Sequence, residues 1–220
     1  MHNNFIVAKM AKLVAKAIIF SNKTKGQALK LIGMILATVF SAAVNIESSS
    51  ELSTSFVGCD QQQVSELNNA MSESFLMRTK ASASLLLGRD SKIVEFFGNK
   101  PQNRWTAFST VSNSLTRTFD ITCANWRACW STDYASGFIS EKDGSIHLCK
   151  SFFKKRPTGY NSQAGALVTL QTVFTEVGAT SFHENSIEGV KKLAKKDPVL
   201  AVDNAPSFGY FSESIYYNLQ

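Results

Sequence analysis

The chain has 220 residues, a hydrophobic fraction of 44% and a charged fraction of 18%. These values are typical of one globular domain with a proper core, and they exclude a mostly disordered chain or a collagen-like repeat. No apolar run reaches the roughly 18 residues of a membrane-spanning helix, which excludes a multipass membrane protein. The three histidines are His2, His147 and His183, and no two are four residues apart. The sequence therefore contains no HExxH zinc motif.

The net charge of +6 comes from the N-terminal segment. Residues 1–43 carry six lysines and no acidic residue, while the remainder carries 17 basic and 17 acidic residues. A domain that follows a phosphate backbone has its positive charge on the folded part of the chain. We therefore expect no nucleic-acid partner.

Residues 1–43 are predicted to be a signal segment. A lysine-rich stretch precedes the apolar residues 31–40, and the small residues 41–43 suit cleavage by signal peptidase. Residues 44–55 would then be a Ser-rich flexible spacer. The alternatives are an amphipathic helix and a mitochondrial presequence, and Met10 is an alternative start. We expect a secreted, extracellular protein with no stable membrane span once the signal is removed.

All four cysteines, Cys59, Cys123, Cys129 and Cys149, follow the apolar run. An even number outside the presequence indicates two disulfides formed in an oxidising compartment. Four cysteines allow three connectivities, and their spacing does not choose among them. Because no Cys-x-x-Cys pair occurs, a cysteine zinc site is disfavoured.

The rest of the chain alternates between helical and strand-like periodicity. A long helix is predicted from its N-cap, Asp60, to residue 87, with Gly88 ending it. The other predicted elements are a helix over 104–119, a hairpin of strands over 134–140 and 145–153, a basic loop over 154–159, helices over 162–177 and 188–196, and helical turns over 204–217. Helices with one hairpin around a single core indicate an α+β domain over residues 56–220.

Several short stretches carry a resemblance to a known family. They are residues 56–59 (FVGC), 144–149 (GSIHLC), 161–168 (NSQAGALV), 197–198 (DP), 201–202 (AV), 204–205 (NA) and 210–213 (YFSE). In this order and spacing they resemble the deuterolysin and peptidyl-Lys metalloendopeptidase family, the secreted aspzincin zinc proteases. The resemblance implies a single zincin-like domain, mostly helical with a small β-hairpin or sheet. It also implies the disulfides Cys59–Cys123 and Cys129–Cys149.

The same resemblance places the HExxH motif of the family at residues 169–173, where this chain reads TLQTV. HExxH works because residues i and i+4 share a helix face, so both imidazoles reach one metal while the Glu deprotonates its bound water. Here Thr169 and Val173 stand at the two His ligands, and Leu170 stands at the general base. None of these side chains can perform the role of the residue it replaces.

Two alignments of the following loop are open. One puts Phe182 at the third zinc ligand, an Asp in the family. The other puts Asn185 there and Glu188 at the Tyr that would stabilise the oxyanion. The acidic pair that holds the substrate in lysine-specific members falls at Pro206 and Gly209.

These replacements predict a protein with no catalytic residues, no metal and no cofactor. Since Leu170, Val173 and Phe182 all add apolar surface, we expect Phe182 to turn inward near Val173 or Thr169 and fill the place of the metal. Zinc is expected only under the alternative, in which the chain is an active secreted metalloendopeptidase of this family. A new metal site is a further alternative, built from His147, His183, Glu184 and Glu188.

A fold kept without its chemistry predicts a secreted pseudo-protease that binds an unknown protein or peptide partner. The candidate binding cleft lies along Ile146, His147 and Leu148, where a strand edge would accept a peptide strand. A second candidate is the helix face with Lys191, Lys192, Lys195 and Lys196, which is either solvated or in contact with an acidic partner. A plain structural or storage protein is the remaining alternative.

Overall fold

The fold is that of a computed structural model, which describes residues 54–125, 127–130 and 136–219. The predicted signal segment and most of the spacer lie outside these residues. In chain order the elements are β1 (Phe56–Val57), α1 (Gln61–Leu87), α2 (Ser91–Phe97), α3 (Pro101–Leu115), β2 (Asp120–Cys123), β3 (Gly137–Ser140), β4 (Ser145–Leu148), a 3-10 turn (Phe152–Lys154), α4 (Gln163–Val173), α5 (Ile187–Lys196), α6 (Pro198–Asp203) and α7 (Ala205–Tyr216). Within this part of the chain, no helix is long and apolar enough to cross a membrane.

The limits of the long helix α1 follow from its sequence, as predicted. The Asp60 carboxylate accepts a hydrogen bond from the Gln63 N–H (2.8 Å), and the Gln63 side chain accepts one from the Asp60 N–H (2.9 Å). This reciprocal capping box satisfies donors that a helix start leaves unpaired. Gly88 ends the helix in the left-handed conformation, with a φ of 65°, which a residue without a Cβ adopts at little cost.

The four strands form one sheet in the order β1-β2-β4-β3. β1 and β4 each pair with β2 in parallel, and β3 pairs with β4 as an antiparallel hairpin. The hairpin and its turn over residues 141–144 were predicted, although both strands are shorter than expected. One face of the sheet presents Ile121, Ile146 and Leu148 to the core.

The helix α4 is the centre of the fold, because its side chains belong to both apolar clusters. Ala164 and Val168 pack in a cluster with aromatic residues of α2 and α7. Leu167 and Leu170 pack in a second cluster with the inner face of the sheet. Nine consecutive residues of α4, from 164 to 172, are buried.

Several predicted boundaries were wrong. The helix predicted to reach residue 177 ends at Val173, because Phe174 adopts an extended conformation and its carbonyl accepts three following N–H groups. The helix predicted over 104–119 begins at Pro101 and ends at Leu115. The C-terminal turns form the full helix α7. Four elements were not predicted at all: β1, β2, α2 and α6.

Both disulfides that the resemblance implied are present. Cys59 is bonded to Cys123, which ties the start of α1 to the end of β2. Cys129 is bonded to Cys149, just after β4. The described cysteines include no free thiol.

Candidate functional site

The helix α4 begins in a network built around a buried carboxylate. Ser162 is the N-cap, and its hydroxyl oxygen accepts a hydrogen bond from the Gly165 N–H (3.0 Å). The Ser162 N–H and hydroxyl both donate to Glu213 Oε1 of α7, at 2.7 and 2.8 Å. The Asn161 N–H donates to Glu213 Oε2 (3.0 Å). Glu213 therefore fixes the entry of α4 by three charge-assisted hydrogen bonds.

The side chains at the three positions that the resemblance assigned to two zinc ligands and the general base are buried or half-buried. Thr169 is buried, and its hydroxyl donates to the Gly165 carbonyl one turn earlier (3.0 Å). Leu170 is fully buried in the cluster beneath the sheet. Val173 is the last residue of α4 and is half-buried.

A small cavity lies where α4 meets α7. Its volume is about 10 Å3, and it is lined by Thr169, Asn185, Pro206 and Gly209, among others. These are the positions that the resemblance assigned to a first ligand, one candidate for the third ligand and the acidic pair. Asn185 lines this cavity and Phe182 does not, while the position that corresponds to the third ligand stays a prediction.

Phe182 occupies a different environment. Its side chain is half-buried and packs against the apolar cluster that contains Leu170 and Phe174. Phe182 does not line the cavity beside Thr169, so the prediction that it fills the place of the metal is not supported there. The cavity beside Thr169 is instead narrowed by the close approach of α4 and α7, since Gly209 lies directly against the Thr169 hydroxyl.

This cavity does not fit a zinc ion. A catalytic zinc needs three protein ligands and room for a water, whereas about 10 Å3 holds one water at most. The Thr169 hydroxyl is already bonded to its own helix. Among the described residues that line the cavity, Glu213 supplies the one carboxylate, which is held by Asn161 and Ser162, and none supplies an imidazole. In the part of the chain that the structure describes, no group of three His, Cys, Asp or Glu side chains is placed to hold a metal.

The alternative metal site is not assembled either. His183 Nε2 lies 2.7 Å from a carboxylate oxygen of Asp203. His147 Nε2 lies 2.9 Å from the Ser145 hydroxyl, and its ring stacks on Phe138 at 4.7 Å. Glu188 is exposed in the first turn of α5.

The predicted binding cleft along Ile146, His147 and Leu148 is wrong. β4 lies between β2 and β3, so it has no open edge, and Ile146 and Leu148 are buried in the core. The edge strands of the described sheet are β1 and β3, and β3 is the one that contacts α4. The sequence does not reveal this, because strand order depends on the pairing of β2 with β4, which lie over 20 residues apart.

β3 is an edge strand of the sheet that the described residues form, with β4 as its one neighbour there. The Ser136 carbonyl accepts a hydrogen bond from the Cys149 N–H (3.0 Å). Bonded pairs alternate along an antiparallel ladder, so Phe138 and Ser140 also bond to β4. The N–H and C=O groups of Gly137 and Ile139 therefore point away from the sheet.

The predicted lysine face is divided in two. Lys191 is half-buried and pairs with Glu95 of α2, with 2.5 Å between Nζ and the carboxylate. Lys192, Lys195 and Lys196 are exposed, as expected of a solvated face.

Sequence reasoning gave no role to Glu213. Its side chain has 1% exposure, and burial raises its pKa to about 7 against the lowering effect of its hydrogen bonds and of Lys155. A signal was present, because Glu213 is the one acidic residue in α7, whose other residues are aromatic, aliphatic or small. Because a helix with this composition packs into the core, its single carboxylate is expected to be buried with it.

The buried Glu213 makes stability depend on pH. Its pKa is about 7 in the folded protein and about 4.5 when exposed, so between these values the folded state holds a proton that the unfolded state has lost. We expect the free energy of unfolding to fall as pH rises from 4.5 to 7. Glu213→Gln removes this titration. The excess in free energy of unfolding of the unmodified protein over Glu213→Gln, measured by urea unfolding, should therefore shrink as pH rises above 5. Parallel pH profiles would contradict the assignment.

The fold is that of a zinc peptidase. A solved zinc peptidase from Grifola frondosa superposes with a TM-score of 0.63 at 25% sequence identity, covering 71% of this chain and 97% of that one. Residues 87–213, more than half of the chain, match the sequence model of the lysine-specific metallo-endopeptidases. The chain belongs to this family.

Two relatives of known activity are similar to this chain in sequence. A peptidyl-Lys metalloendopeptidase from Pleurotus ostreatus is 30% identical over 168 residues, which cover 72% of this chain and 96% of that protein. An extracellular protease from Aeromonas hydrophila is 27% identical over 183 residues. That match covers 79% of this chain and about half, 51%, of the Aeromonas protein.

Proposed function

We propose that the chain is a secreted, catalytically inactive member of this family that acts by binding a peptide or protein partner. The observation that carries the proposal is the small cavity at Thr169, about 10 Å3 in volume, whose described lining offers the single carboxylate of Glu213 and no imidazole for zinc. Leu170, at the position of the general base, is buried in the core and has no proton acceptor. The extracellular relative and the two disulfides support secretion.

The proposed binding element is the edge of β3 that faces away from β4. An extended peptide that pairs with Gly137 and Ile139 would add a fifth strand to the sheet through backbone hydrogen bonds. Such binding needs no metal. It would use the part of the fold that lies beside α4 and leave the core unchanged.

The loss of catalysis is tested on the purified secreted protein. We expect no cleavage of casein or of lysine-containing peptides, with or without added zinc. Mass spectrometry should find less than roughly 0.1 zinc ion per chain, where an occupied site would give one. A peptidyl-Lys metalloendopeptidase assayed in parallel provides the positive control. Stoichiometric zinc with cleavage that a chelator abolishes would establish the active enzyme instead.

A further inference from the structure

We propose that a basic pocket beside the β3 edge selects acidic peptides, so that the partner strand carries an Asp or Glu side chain into it. The pocket has a volume of about 520 Å3, within the range of small-ligand sites. Its cationic residues are Lys154, Lys155 and Arg156, from the loop before α4. The inference rests on the proposed strand addition and names the chemistry of the partner.

The pocket adjoins both parts of the proposed binding site. Ser136, the residue just before β3, lines it, and so does Asn161, which also lines the cavity beside Thr169. A peptide paired with Gly137 and extended past this end of β3 therefore reaches the pocket. A polyanion that is not a peptide would gain nothing from a strand edge beside the pocket. The position of the pocket next to β3 therefore favours a peptide ligand.

The described lining of the pocket carries a net positive charge. The described residues that line it include no Asp or Glu. The nearest carboxylate with a defined effect is Glu213, whose charge acts on Lys155. The negative charge of Glu213 offsets the positive charge of Lys155 only, because its carboxylate oxygens already accept hydrogen bonds from Asn161 and Ser162.

Lys154 and Arg156 are the cations that we assign to the ligand. Both side chains are exposed, and neither forms an ion pair with a described carboxylate within 4 Å. The guanidinium of Arg156 can bind a carboxylate through two parallel hydrogen bonds, and Lys154 adds a point charge. Pro206 and Gly209, in the neighbouring cavity, carry no charge that would oppose an acidic ligand.

The test is a selection from a display library of ten-residue peptides, followed by affinity measurement of one selected peptide with Glu or Gln at its preferred acidic position. We expect enrichment of Asp and Glu at one position. The Glu peptide should bind on the order of 5- to 20-fold more tightly than the Gln peptide at low salt, and the ratio should fall as salt is raised.

Two matched variants locate the effect. The double variant Lys154→Ser and Arg156→Ser should bind the Glu and Gln peptides equally, while still binding both. The double variant Lys192→Ser and Lys195→Ser, which removes the same charge from the exposed face of α5, should keep the full preference. A preference that survives loss of Lys154 and Arg156 would overturn the proposal.

The remaining outcomes are also decisive. Enrichment without an acidic preference would overturn the basic pocket but leave strand addition intact. Failure of any peptide to bind would overturn both the pocket and strand addition. Neither result bears on catalysis, which the zinc and cleavage measurements test separately.

Discussion

Gly165→Ala is expected to lower the free energy of unfolding by about 3 kcal/mol, a loss of roughly 6–12 °C in Tm for a domain of this size. A methyl group at Gly165 would overlap the Glu213 carboxylate, and it would lie 2.8 Å from Glu213 Cγ. Since Glu213 is held by three donors in a site with 1% exposure, it cannot move aside without leaving Ser162 and Asn161 unpaired. The cost is that of breaking a buried, hydrogen-bonded charge.

The chain contains a closely matched control in Gly189→Ala. Gly189 is the third residue of α5, as Gly165 is of α4, and each donates its N–H to the hydroxyl of its N-cap serine at 3.0 Å. The atoms nearest to a new methyl group there are the Glu184 carboxylate, on an exposed side chain that can rotate away, and the Ser186 hydroxyl at 2.9 Å.

Because alanine favours a helix over glycine by up to about 1 kcal/mol, we expect Gly189→Ala to be neutral or stabilising. Urea unfolding of both variants would measure the difference. Equal effects would show that helix propensity, and not the Glu213 contact, governs Gly165.

The features that were predicted correctly are those encoded locally. Asp60 and Gly88 act on their own helix ends, and the turn over residues 141–144 joins strands adjacent in sequence. The strands β1 and β2 were missed because they are short and pair in parallel across about 65 residues, for which no local pattern exists. The strand edge was misassigned for the same reason.

The candidate site shows the same division. The absence of an HExxH motif is a property of the sequence alone, and so is the apolar character of Leu170. That Asn185 and not Phe182 lines the cavity beside Thr169 could be seen only in three dimensions, because an insertion makes the loop ambiguous in sequence. The contact between Gly209 and Thr169 depends on how closely α4 and α7 cross, which two isolated glycines do not predict.

The second large effect is expected from the disulfide Cys59–Cys123. It closes a loop of 64 residues, whereas Cys129–Cys149 closes one of 20. On chain entropy alone, removing the first should cost about 4 kcal/mol and removing the second about 3 kcal/mol, because the longer loop restricts the unfolded chain more. The variants are Cys59→Ala with Cys123→Ala, and Cys129→Ala with Cys149→Ala.

The two disulfides also differ in what their removal leaves in the folded state. Cys149 is buried with 3% exposure, so its truncation adds a small packing cost that narrows the gap between the two variants. Cys59 and Cys123 are only half-buried, and the pairing of Val57 with Thr122 holds the same two strands together without the bond. Loss of the first bridge should therefore act mainly on the unfolded chain, leaving the near-ultraviolet circular dichroism of the folded protein unchanged while the urea midpoint falls. A loss below 1 kcal/mol for Cys59–Cys123 would show that the unfolded chain retains the β1–β2 pairing, and the loop-closure argument would fail.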